Sequence, residues 1–148
     1  MAITAAPDQS LTYRLKALSK IADKKSGEVA RDRLGLSYPE AIVLSVVGTF
    51  GQQTIRDISR RGNLDKGQAS RTVESLIAQE MLTKTSNDVD GRSVVIGLSA
   101  DGRKIFKKVG PAMERRDKEL YKGMEEEELL ALRYLLDKAL SINGWDES

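Results

Sequence analysis

The chain has 148 residues, a formal net charge of only +2, and neither cysteine nor histidine. That length buries about 70% of the unfolded surface, so residues 1–148 read as a single domain with its own core, while disulfides, thiolate metal sites, a cysteine nucleophile, a thiol peroxide sensor and histidine chemistry are all excluded. An enzyme, a metal or another cofactor is not expected, and no stretch reaches the roughly 18 apolar residues of a membrane span, so the chain reads as cytoplasmic with no membrane partner.

From Leu11 to about Arg31, Leu11, Leu15, Leu18, Ile21 and Ala22 recur at helical spacing among lysines and arginines, which predicts an amphipathic first helix. Ser37, Pro39 and Glu40 form a capping box with an early-turn proline, so a second helix should run from Tyr38 to about Thr49. Its interior, Ala41 to Val47, is apolar on nearly every side and should be buried against several neighbours; Gly48 and Gly51 then permit a turn. Thr54 and Asp57 open a short helix that Gly62-Asn63 stops, and Leu64 can plug the turn. Asp65 with Gln68 caps the next helix, through about Gln79, whose stripe Ala69, Val73, Leu76 and Ile77 faces inward.

Two β-branched runs follow, Met81 to Thr85 and Ser93 to Leu98, separated by a segment containing Asp90-Gly91, a hairpin signal. Ser99 caps a long helix bearing Ile105, Phe106, Val109, Met113 and Leu120, which Pro111 is expected to bend or break. A final helix, from Glu125 to about Ile142, opens on four glutamates, where the macrodipole favours negative charge, and carries more leucines than one face needs.

The charge is unevenly spread. Residues 1–51 carry 7 basic and 5 acidic side chains, residues 52–108 carry 11 and 7, and residues 109–148 carry 6 and 10, so the positive excess sits in the middle. Two short helices joined by a tight turn and followed at once by a hairpin describe a mainly α fold with a small β-hairpin wing, a winged helix-turn-helix, with residues 66–79 as recognition helix. Such a helix puts its first residues against base edges. Here these are Lys66, Gln68, Ser70 and Arg71, while Gly67 allows close backbone approach. Gln68 suits adenine, and Arg71 suits guanine or a phosphate. Any one of these alone is more often a solvated helix residue; the set together points to DNA. On the wing, Arg92 is placed to enter a narrow minor groove, with Asp90 to hold its guanidinium; taken alone, the pair is a surface ion pair.

The order Leu36-Ser37, Val43-Leu44, Thr54 to Ser59, Ala69-Ser70-Arg71, Val73, Leu76, Asp90-Gly91-Arg92, Leu98-Ser99 and Gly102 resembles the MarR family of bacterial regulators over nearly the whole chain. Two positions depart from that pattern: Glu80 stands where glycine often precedes the first wing strand, and Lys84 where an arginine often follows its start. The resemblance implies a DNA-binding lobe at about 37–104 and dimerisation helices at about 11–31 and 105–142. It also implies a ligand-responsive homodimeric transcription regulator, a repressor acting on a pseudo-palindromic operator in double-stranded DNA. A small organic effector, an aromatic acid or its thioester, is expected to release it. Arg31, Arg33 and Tyr38 are candidates to meet an anion, although no effector site is assigned. The alternatives are a winged-helix protein-interaction module that binds no DNA, which the basic recognition face opposes, and an enzyme using Asp88 and Asp90, which a hairpin tip cannot shelter from water.

Overall fold

The computed structural model describes residues 7–86 and 94–145. Helix α1 spans Leu11–Leu34, α2 Tyr38–Phe50, α3 Ile55–Arg61 and α4 Lys66–Ala78; strands β1 (Leu82–Ser86) and β2 (Val94–Leu98) follow, then α5 (Ala100–Leu120) and α6 (Glu126–Ile142). The helices begin where short polar side chains satisfy orphan amides. Ser37, Thr54, Asp65 and Ser99 accept from the backbone of Glu40, Asp57, Gln68 and Gly102 respectively, and Glu40 completes its box by accepting from the Ser37 amide at 2.9 Å. Each such cap contributes about 1 kcal/mol.

Helix α2 is the central element, which accounts for its apolar sequence. Val43 and Leu44 are fully buried among Ala30 of α1, Ile58 of α3, Ala69, Val73 and Leu76 of α4, Ile96 of β2, and Val109 and Ala112 of α5. Within α4 Thr72 joins the buried face and Ile77 is only half-buried, a slight rotation from the expected stripe. Gly48 lies inside α2 and makes no turn; a Cβ there would run into the Phe106 ring of α5, so this glycine sets how closely the two helices approach. Gly51, at φ 79°, makes the turn.

The hairpin is antiparallel, with Leu82 opposite Leu98 and Ser86 opposite Val94. A short third rung attaches it to the α2–α3 connection: the Gln53 amide donates to the Ile96 carbonyl at 2.9 Å, and the Ile96 amide to the Gln53 carbonyl at 2.7 Å. Gly102 is required at the start of α5, because a Cβ there would overlap the Met81 carbonyl.

Helix α5 continues through Pro111 without a break. The residue is exposed, so water can serve the carbonyl one turn earlier that lost its amide partner. Two apolar surfaces stay uncovered. The first half of α1 exposes Leu11, Leu15 and Ile21, and α6 buries none of its residues, leaving Leu130, Tyr134 and Leu135 about 60% exposed. Among the described residues no helix is long and apolar enough to cross a membrane.

Candidate nucleic-acid interface

Helices α3 and α4 meet at a tightly specified corner. Gly62 closes α3 where a Cβ would stand 2.8 Å from Ile42 and 2.9 Å from the Ile58 carbonyl; Asn63 follows at φ 52°, a left-handed conformation asparagine tolerates. Ser59 and Leu64 then hold the chain's direction reciprocally, the Leu64 amide donating to the Ser59 carbonyl at 3.0 Å and the Ser59 hydroxyl to the Leu64 carbonyl at 2.7 Å. This corner turns the first residues of α4 outward. Lys66, Gly67 and Arg71 are exposed, and Gln68 and Ser70 half-buried. The Arg71 guanidinium folds back over Gly67, where a Cβ would lie 3.1 Å from Nη1 and 3.4 Å from the Asp65 carboxylate. Gly67 therefore lets a cation lie close along the start of the helix, where amides and macrodipole already favour an anion such as phosphate.

At its other end α4 is fastened to α2. Glu40 accepts from the Ser75 hydroxyl at 3.2 Å and from the Gln79 amide group. Partial burial pushes this carboxyl's pKa up, but the hydrogen bonds from the Ser37 amide, Gln79 and Ser75 outweigh it and hold the group below its ordinary value.

Behind this lobe, α2, α3 and α5 enclose an open cavity of about 420 Å³ with apolar walls that include Val46, Val109 and Met113. Two guanidinium groups line it. Arg116 of α5 donates from Nη1 to the buried Ser26 hydroxyl of α1 at 3.2 Å and to the Tyr38 hydroxyl of α2 at 3.1 Å, while its Nε holds Asp117 at 2.9 Å. Arg61 of α3 stacks on the Phe50 ring at 3.9 Å, and its Nε is buried with no hydrogen-bond partner among the described residues.

The corner, the outward helix and the first strand of the hairpin fall within residues 34–93, the segment that matches the MarR family model. Over that segment the chain is similar to the MarR family. The transcriptional regulator BilQ of Clostridium symbiosum is 28% identical to it over 83 residues, which is 56% of this chain and 58% of BilQ. The chain thus aligns with little more than half of that curated relative's length. Among solved structures the fold is similar to Bordetella bronchiseptica BpsR, described with regulation of DNA binding by 6-hydroxynicotinic acid (TM-score 0.74, 22% identity, 85% of this chain and 98% of that one). It is also similar to a mutant E. coli MarR complexed with operator DNA (TM-score 0.74, 21% identity, 87% and 95% covered).

The five recognition-helix residues expected from sequence, Lys66, Gly67, Gln68, Ser70 and Arg71, occupy the first two turns of α4. Asp90 and Arg92 fall outside the described residues. Of the anion candidates, Arg31 pairs with Asp32 on the surface at 3.8 Å, Arg33 is exposed, and only Tyr38 reaches the 420 Å³ cavity. The residues that sequence reasoning missed are Arg116, Arg61 and the Glu40–Gln79 contact. Arg116 lies in a run of six charged residues, Glu114 to Glu119, and nothing in that run marks the half-buried one. Glu80 adopts φ 60°, the left-handed conformation that favours glycine, held by its amide's bond to the Ile77 carbonyl at 2.9 Å and by the Ser99 hydroxyl on its own carbonyl at 2.6 Å. The departure from the family's common glycine is therefore a side chain carried in a glycine conformation.

Proposed function

We propose that this chain is a cytoplasmic, homodimeric regulator of transcription that binds a pseudo-palindromic operator in double-stranded DNA and acts as a repressor released by a small organic effector. The observation that carries the DNA reading is the outward face of α4, where Lys66 and Arg71 flank a glycine at the helix start and the inward face is locked into the core. Arg71 and Gln68 have the donor geometry for base edges, and Arg92 of the wing is assigned to the minor groove. Dimerisation is supported by the uncovered leucines of α6 and the exposed apolar half of α1, surfaces a second copy would cover.

The effector reading rests on the cavity behind α2. Two guanidiniums among apolar walls suit a flat organic acid, with the carboxylate at Arg116 and Arg61 and the ring against Val46 and Met113. A thioester could place only its acyl part in about 420 Å³.

A duplex selected by the protein from a random pool tests the DNA reading. Arg71→Ala should weaken binding to it about 5- to 150-fold, the worth of one good base or phosphate contact, and leave the dimer intact. Arg92→Ala should do likewise. Wild-type affinity should fall steeply as salt rises, because lysine and arginine contacts to phosphate release counterions. Affinity unchanged in both variants, or a flat salt response, refutes the assignment.

A further inference from the structure

We infer that Glu40 is a positioning residue for DNA reading: its carboxylate clamps the C-terminal end of the recognition helix to the first turn of α2 and so fixes the angle at which the other end is presented. The inference rests on the functional reading above and names a residue that would never touch DNA. The Glu40 carboxylate is divided between two tasks. Oε1 caps its own helix through the Ser37 amide at 2.9 Å, and Oε2 receives both the Ser75 hydroxyl at 3.2 Å and the Gln79 side-chain amide. Gln79 is itself tied to the Ser75 hydroxyl at 3.2 Å and the Ser75 carbonyl at 3.3 Å, so the last turn of α4 meets α2 as one unit.

The lever is short. Ser75 and Gln68 are seven residues apart, about 10 Å along the axis, so a sideways shift at the clamped end reappears at the reading end at comparable size. Between the two ends Thr72 and Val73 are buried in the core near the middle of α4 and act as a pivot. Base contacts at the reading end tolerate little displacement, since they require donor and acceptor within about 3.2 Å. A core contact alone does not supply this control, because apolar packing is non-directional whereas a carboxylate shared by two donors defines an orientation.

The test exchanges the two partners. Gln79→Glu sets a second carboxylate against Glu40, whereas Glu40→Gln combined with Gln79→Glu restores an amide–carboxylate pair with the wild-type net charge. Glutamine also serves at the third position of a capping box, so the exchanged pair keeps the start of α2. With the duplex selected by the wild-type protein, Gln79→Glu should lose at least tenfold in affinity and the exchanged pair should regain most of it. The ratio of affinities for that duplex and a scrambled one should follow the same order, and the salt dependence should stay unchanged, since no phosphate contact is removed. Amide hydrogen exchange in α4 of the free protein should be faster in Gln79→Glu and return toward wild type in the exchanged pair. Wild-type protein that binds no duplex overturns the functional reading and this inference with it. Wild-type protein that binds, with Gln79→Glu binding equally well or the exchanged pair no better than Gln79→Glu, overturns this inference alone.

Discussion

Arg116→Met tests the junction on which both the packing of α5 and the effector reading depend. Methionine retains the unbranched apolar stem but supplies no donor. The Ser26 hydroxyl would keep its own bond to the Ala22 carbonyl at 2.7 Å, whereas the Tyr38 hydroxyl would lose the guanidinium 3.1 Å away. Hydrogen bonds to a charged group contribute about 1.5–3 kcal/mol each, and the variant is relieved of the cost of holding a guanidinium only 18% exposed. The net loss should be about 1–3 kcal/mol, which for a chain of this size lowers Tm by roughly 2–12 °C at fixed protein concentration. The same melting experiment with benzoate as the aromatic carboxylate probes the cavity: at 100 times its Kd a ligand adds about 2.7 kcal/mol to the wild type, and the variant should lose that gain. A variant melting with the wild type would refute the junction. An equal benzoate upshift in both would refute the assignment of the carboxylate to Arg116.

Three further outcomes are expected. Glu80→Gly should stabilise the chain by about 0.5–1 kcal/mol in urea unfolding, since relief of a left-handed side chain at φ 60° exceeds the added freedom of the unfolded glycine. Leu130→Glu combined with Leu135→Glu should raise the dimer dissociation constant at least tenfold in sedimentation, each change removing about 1.5–3 kcal/mol of apolar burial if α6 is covered by a second copy. Acid should open the Glu40 clamp. The carboxyl's folded-state pKa lies below its unfolded one, so its contribution is complete above the ordinary carboxylate range and is lost as pH falls through the folded value. The stability difference between wild type and Glu40→Gln in urea should therefore shrink from pH 7 to pH 3.

The elements were legible because each begins at a local signal. Ser37, Thr54, Asp65 and Ser99 are short acceptors placed before apolar periodicity, and the structure seats all four as caps. The outward placement of Lys66, Gly67 and Arg71 followed from the same logic, since a buried stripe through Ala69, Val73 and Leu76 leaves its complement outside. What stayed hidden depends on long-range pairing. Gly48 reads as a turn residue until Phe106, 58 positions later, is seen to fill the space above it. Glu40 reads as a cap, and only the fold brings Gln79 to its second oxygen. Arg116 reads as one charge in a charged run, and only the crossing of α1, α2 and α5 buries it. Pro111 misled for the opposite reason: the local rule assigns a fixed penalty, and an exposed helix face with water at hand absorbs it.

These long-range pairings converge on the first turn of α2. Tyr38 is held there by Arg116 at the edge of the cavity, and two residues later Glu40 holds the C-terminal end of α4. On the proposed reading, an anion that competes for Arg116 loosens one side of a turn whose other side sets the angle of α4. The energies are commensurate. Lowering operator affinity a hundredfold requires about 2.8 kcal/mol of coupling, within the 1–3 kcal/mol typical of linked sites and close to the worth of one or two charged hydrogen bonds. Tight effector binding alone would not suffice: a ligand that left Arg116 on Tyr38 would bind both arrangements of the lobe equally and shift neither.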